Sequence, residues 1–247
     1  MKYQKKENIL LGVNIDHIAS LRESRKTNYP DIIKAAKIIK NSGADKITVH
    51  LREDRRHIQD VDVFELVKIF PDCLNLEISI SKEMINIAEK IKPKYCCLVP
   101  EKRKELTTEK GLDILNNLFS IKMAYKKLHN AGIITSVFID PNYLQIKCAK
   151  NIGLNIIEIH TGYYASSNSY NKKKELQLIK NSIKYAKKLG MIIHAGHGLN
   201  QENIHAIASI PEIQELNIGH SIISDSIFLG LKKAILNIKL SIINARK

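Results

Sequence analysis

Ionisable side chains recur in this sequence at the ends of short β-branched runs, a placement suited to proton transfer and anion binding. Asn14, Asp16 and His17 close or follow ILLGVNI; His50 and Arg52 close KITVHL; Glu77 lies in LNLEISI, Glu158 and His160 in NIIEIH; His197 follows MIIHA and His220 follows ELNI. A single strand histidine is ordinarily structural, its ring nitrogens satisfied by backbone groups. Several imidazoles and carboxylates converging on one rim are different. Each costs free energy when buried unless it is paired, so the set points to acid–base chemistry or anion binding.

Two glycine-flanked segments add a phosphate signal: AGHG at 195–198 and IGHS at 218–221. Glycine lets backbone N–H groups approach an oxygen, and a following helix presents its positive end. Tight turns alone would also account for these glycines. A second anion site is suggested by HLREDRRHI, 50–58, in which Arg52 and His57 offer donors. The intervening Glu53, Asp54, Arg55 and Arg56 equally suit surface ion pairs. The polar segment PEKRKELTTEKG, 100–111, brings Thr107 and Thr108 over the same mouth and is a candidate lid. No H-E-x-x-H or comparable ligand spacing is present, so no metal is expected. No lysine ends a predicted strand, which argues against an enzyme-bound Schiff base, although Lys102 is within reach in the fourth loop.

The elements that must position these groups alternate along the chain. Predicted strands cover 9–15, 46–51, 74–80, 95–99, 133–139, 155–160, 191–195 and 215–218. Predicted helices cover about 30–42, 113–131, 172–189 and 221–245, with Gly43, Gly132 and Gly190 as stops. Nearly continuous apolar runs suit parallel strands covered on both faces. Eight of them give an α/β fold, a (β/α)8 TIM barrel with extra helices, whose carboxyl-end loops converge on one cavity. An open doubly wound sheet is the alternative. No repeat or linker divides the chain, so 1–247 is read as one catalytic domain.

The 247 residues, 44% hydrophobic and 26% charged, suit a large buried core rather than disorder. The formal charge of +14 is spread along the chain, its longest run being Lys172-Lys173-Lys174, and fits a solvated basic surface better than a nucleic-acid groove. Cys73, Cys96, Cys97 and Cys148 show no metal spacing and fit a reducing cytoplasm. The amino-terminal apolar run is interrupted by Asn14 and Asp16 before a signal-peptide core forms, and no stretch is long enough to span a bilayer.

From about residue 9 onward, GVNIDHIASLRESR, ITVHLREDRRHI, NLEISI, CCLVPEKR, EIHTG, AGHGL and ELNIGH occur in the order seen in pyridoxine 5'-phosphate synthases, and the chain resembles that family. The resemblance implies condensation of 1-deoxy-D-xylulose 5-phosphate with 3-amino-2-oxopropyl phosphate, giving pyridoxine 5'-phosphate, inorganic phosphate and water without cofactor or metal. It implies His50 and Glu77 as general bases, His197 as proton donor and Glu158 as transition-state stabiliser. Asn14, Arg25, Gly198, Gly219 and His220 would surround the amino-ketone phosphate, and Asp16, His17, Arg52, His57 and Thr107 the pentulose phosphate. Arg25, in the loop after the first strand, would reach its own or a neighbouring site in a symmetric assembly, an octamer in most of the family.

Lys110 stands where the family often has glycine, His194 where asparagine is frequent, and Tyr163 where a smaller residue follows HTG. These departures bear on loop behaviour and packing rather than on reaction type. Two rivals remain: another phosphosugar barrel, an isomerase or aldolase, which would share the phosphate turns; and a basic nucleic-acid-binding protein, whose binding would weaken steeply with salt.

Overall fold

A computed structural model describes residues 8–101 and 110–247. Among these, eight strands follow one another around a closed parallel barrel: β1 (Leu10–Asn14), β2 (Lys46–His50), β3 (Leu74–Ile78), β4 (Tyr95–Leu98), β5 (Ile134–Ile139), β6 (Ile156–His160), β7 (Ile192–Gly196) and β8 (Ile213–Ile218). β1 pairs with both β2 and β8, which rules out the open sheet.

Helices α2 (Ile32–Asn41), α3 (Asp60–Ile69), α4 (Lys82–Ile91), α5 (Leu118–Asn130), α6 (Tyr143–Asn151), α8 (Ser169–Lys188), α9 (Ile204–Ala208) and α11 (Leu231–Ala245) make the outer ring. Three more stand outside the strict repeat: α1 (Asp16–Arg25), α7 (Gly162–Ser166) and α10 (His220–Leu229), each starting within two residues of a strand end. Arg25 is therefore the last residue of a helix and not a loop residue. The predicted helix at 221–245 is two helices, because Gly230 adopts φ +77 between them. The predicted helix at 113–131 begins only at Leu118, since the Asp113 side chain accepts from the Asn116 N–H and holds a turn there. None of the described helices is long and apolar enough to cross a membrane.

Strand alternation sorts the residues into two sets. Leu11, Val13, Ile47, Val49, Leu74, Leu76, Val137, Ile157, Ile193 and Leu216 point outward and are buried beneath the helices, where α2 adds Ala36 and Ile39 and α4 adds Met84 and Ala88. The apolar core thus lies between sheet and helices. In its middle and upper layers the inward set is largely polar: across adjacent strands Gly12 is level with Lys46, His50 with Glu77, Glu77 with Cys97, Phe138 with Glu158, Glu158 with His194, and His194 with Glu215. Bulky branched residues usually fill this space. Here polar groups do so and must pair with one another to offset their lost hydration.

Near the amino ends of the strands that pairing is ionic. Lys46 Nζ lies 2.5 Å from Glu215 Oε2 and 3.7 Å from the centre of the Tyr95 ring, while His194 Nδ1 lies 3.5 Å from Glu215 Oε1. One layer higher, Asn217 donates to Glu158 Oε2 at 2.8 Å, and Thr48 donates to Asn217 Oδ1 at 3.3 Å. This layer forms the floor of the cavity above it.

Candidate active site

At the carboxyl ends of the strands the barrel opens into a cavity of about 550 Å³. It brings together Asn14, Asp16, His17, His50, Arg52, His57, Glu77, Glu158, His197, Gly198, Gly219 and His220, residues expected there from sequence, with Ser20, Val99, Phe138 and Asn217. Arg25 is exposed at the end of α1 and does not line the cavity. Thr107, with Lys102 and Thr108, falls outside the described residues.

One wall is built by the ends of β1, β2 and β3. Asn14 and Asp16 clasp each other: Asn14 Nδ2 donates to Asp16 Oδ2 at 3.0 Å, and Asp16 N donates to Asn14 Oδ1 at 2.9 Å. Asp16 Oδ1 then accepts from the His50 backbone N–H at 2.9 Å, joining β1 to the end of β2. His50 and Glu77 are level on neighbouring strands, and Asp16, His50 and Glu77 each place a potential ligand atom within 4.8 Å of the others. Both Asp16 oxygens hold hydrogen bonds, one from Asn14 and one from the His50 backbone. Burial, reinforced by the charges of Asp16 and Glu158, pushes the Glu77 carboxyl well above its ordinary range. A carboxyl so raised holds a proton more readily than an ordinary glutamate.

Glu101, which the sequence reading did not single out, backs this wall. Its Oε2 lies 3.5 Å from His50 Nε2, its Oε1 lies 3.7 Å from Arg52 Nε, and Oε1 accepts the Glu53 N–H at 3.0 Å. Arg52 is almost wholly buried and faces the cavity with His57 beside it. The surrounding charges form the surface pairs anticipated for them: Arg55 with Asp60 at 2.8 Å and with Glu83 at 2.7 Å, and Arg56 with Asp54 at 2.6 Å.

The floor is Glu158. Burial and then Glu215 lift its carboxyl to about 8, against the Asn217 hydrogen bond and Lys46, which favour the charged form. Two glycines make room for it. A Cβ on Gly196 would overlap Glu158 Oε1, and one on Gly12 would overlap Asn217 Oδ1.

The opposite wall is the end of β7. His197 has φ +83, a left-handed conformation unusual for a residue with a side chain. Thr161 Oγ1 holds it there by donating to the carbonyls of Gly196 at 2.8 Å and His197 at 2.7 Å. Burial, with His160 and His17 nearby, pushes the His197 imidazole down to about 4. Gly198 at φ +73 and Gly219, the residue before α10, follow on neighbouring strand ends. His220 opens α10, and its ring lies 5.0 Å from that of His17. Backbone N–H groups at a helix start beside two imidazoles form an anion-accepting end.

The family model described as "Pyridoxal phosphate biosynthesis protein PdxJ" matches residues 11–244. The chain belongs to the PdxJ family. Curated members at this level of similarity include the pyridoxine 5'-phosphate synthase of Blochmanniella pennsylvanica, 55% identical over 97% of this chain and 99% of that one. That of Pseudoalteromonas translucida is 51% identical with the same coverage. More distant barrels share the fold alone. Phosphoribosyl anthranilate isomerase from Thermus thermophilus superposes with a TM-score of 0.62 at 9% identity, over 96% of this chain and 100% of that one. Tryptophan synthase from M. tuberculosis gives 0.63 at 10% identity, over 96% and 93%. In this PdxJ chain His194, one of the departures noted above, is the residue that touches Glu215 beneath the floor. Tyr163, another, packs its ring 5.3 Å from that of His160, and Lys110 is exposed.

Proposed function

We propose that this enzyme is a pyridoxine 5'-phosphate synthase, condensing 1-deoxy-D-xylulose 5-phosphate with 3-amino-2-oxopropyl phosphate to pyridoxine 5'-phosphate, inorganic phosphate and water. The observation that carries the reading is the single cavity with His50 and Glu77 on one wall, Glu158 at the floor and His197 on the other wall, between two ends suited to anions. Imine formation, loss of water and phosphate, and ring closure each move protons among carbon, nitrogen and oxygen. Several acid–base groups are therefore needed at once.

His50 and Glu77 act as the bases. Glu77 is fitted to this by its burial, and His50 by the Glu101 carboxylate behind its Nε2. Glu158 stabilises charge developing over the floor. His197 returns a proton to the departing group. Burial and neighbouring imidazoles lower its affinity for protons in the free protein, and a phosphate dianion settling beside Gly198 and Gly219 would favour the imidazolium that donates. Asn14, Gly198, Gly219 and His220 take the amino-ketone phosphate, with Arg25, which lies outside its own cavity, supplied by a neighbouring copy; Asp16, His17, Arg52, His57 and Thr107 take the pentulose phosphate. The reading uses the chain's own acids and bases, with no metal, cofactor or nucleic acid.

The whole chain acts as one catalytic domain in the cytoplasm, with four free cysteines suited to a reducing compartment. A homo-octamer is part of the reading. Support for burial against further copies comes from Phe228, 86% exposed, and Ile227, 76% exposed, on α10. The test is purified protein given both substrates, with products separated by chromatography: pyridoxine 5'-phosphate and phosphate should appear together. Turnover of the pentulose phosphate without the amino ketone would support an isomerase or aldolase instead.

A further inference from the structure

His160 does not line the cavity, yet it stands directly behind a residue that does. It ends β6, and its ring meets that of His197 edge to face, with centroids 5.1 Å apart and planes at 71°. Gly162 permits the approach: a Cβ there would overlap His160 Nε2 and sit 3.0 Å from His197 Cδ2, so both ring edges flank one gap that only glycine leaves open. His160 is itself held from the far side. Its Nδ1 lies 3.0 Å from Asp140 Oδ1, and the same oxygen accepts the Gly111 N–H at 2.9 Å.

Asp140 stays ionised in this setting. Burial pushes its carboxyl up, but hydrogen bonds from His160 and Gly111 outweigh that and bring it below the ordinary range. An ionised carboxylate on Nδ1 places a proton on that nitrogen. Nε2 is buried and has no hydrogen-bond partner among the described residues. The imidazole is thus fixed in tautomer and in orientation by a group that never reaches the cavity.

We propose that His160, locked by Asp140, is a positioning residue for His197: it fixes the plane of the acid's imidazole and, through that ring contact, governs when the acid gives up its proton. This rests on the reading of His197 as proton donor. The segment His160-Thr161-Gly162 works as one seat. Thr161 pins the strained His197 backbone, Gly162 leaves the gap, and His160 meets the ring. The titratable groups acting on His197 are His160 from β6 and His17 from α1. Behind His160 stand Asp140 after β5 and Tyr163 in α7, with Lys110 acting on Asp140.

Two variants of the full chain test this. His160→Asn keeps an N–H donor for Asp140 but removes the ring from His197; Asp140→Asn keeps an acceptor for Gly111 and His160 but removes the charge. For His160→Asn we expect kcat to fall by about tenfold or more while KM for each substrate stays within about twofold. His160 depresses the proton affinity of His197, so its loss moves the alkaline limb of kcat to higher pH, and Asp140→Asn moves it the same way. A His160→Asn enzyme with wild-type kcat and limb overturns the proposal. A fall in kcat with an unmoved limb also overturns it, since that reports only a structural part. Should His160→Asn fail to fold, Asp140→Asn carries the same two readings. Wild-type turnover by His197→Ala would instead remove the donor role underneath.

Discussion

Asn217 on β8 donates its side-chain amide to Glu158 on β6 at 2.8 Å, spanning the inside of the barrel. The contact exists because neither Gly12 nor Gly196 places a Cβ in its way. It favours the ionised form of Glu158, against burial and the charge of Glu215 beneath the floor.

Asn217→Asp replaces the donor that favours ionised Glu158 with a second carboxyl. Like charges at this distance resist ionisation, so Glu158 rises above its value of about 8. A ¹³C NMR titration of labelled glutamate reads this directly. An unchanged or lower value would show that Asn217 does not act on Glu158.

Burial and the neighbouring imidazoles lower His197 to about 4 in the free protein, so the proposed donor role requires bound phosphate to raise its affinity for a proton. The profile of kcat/KM reports the free enzyme and that of kcat the loaded one. The alkaline limb attributable to His197 should therefore lie at higher pH in kcat than in kcat/KM. Coincident limbs would show that bound phosphate does not charge this acid.

The fold was legible because the outward half of every strand is β-branched or leucine-rich, whatever the inward half carries. The site was legible because His50, Glu77, Glu158 and His197 fall at or near strand ends, and a closed barrel brings strand ends together. Lys46 and Glu215 were not legible. A lysine opening a strand and a glutamate early in one read as solvent contacts, and only the barrel register turns both inward. Asp140 and His160 are twenty residues apart, and their contact requires β5 and β6 to pair as they do. Helix α1 escaped notice because DHIASLRESR is mostly polar and its start lacks a side-chain cap. Glu101 belongs to a segment in which Thr107 and Thr108 drew attention, while its own partners lie on a different strand end.

Lys46 and Glu215 are paired below the floor at 2.5 Å with almost no exposure. Lys46→Met leaves Glu215 buried without its cation and should destabilise the fold by about 3–5 kcal/mol. Lys46→Met/Glu215→Leu should recover most of that loss. Urea unfolding of both variants at neutral pH measures the two values; a single variant as stable as the wild type would contradict the pairing.

Burial lowers the His194 imidazole to about 4, opposed by Glu215 and assisted by Lys46. The unfolded chain takes a proton there below an ordinary 6.5 while the folded chain does not, so stability is lost as pH falls from 6.5 toward 4. Relative to His194→Asn, the wild type should lose about 2 kcal/mol between about pH 7 and about pH 5. Parallel stability curves for the two proteins would show that His194 is charged in the fold.

On the proposed reaction, groups from separate strands act together on both substrates in one cavity, and Glu77 is the member whose removal probes that cooperation. Glu77→Gln preserves shape but removes a base from the wall beside His50. Pyridoxine 5'-phosphate formed in a single turnover should fall by about a hundredfold or more, with both substrates still bound. Product formed at the wild-type rate by a folded Glu77→Gln enzyme would show that Glu77 is not a base in this reaction.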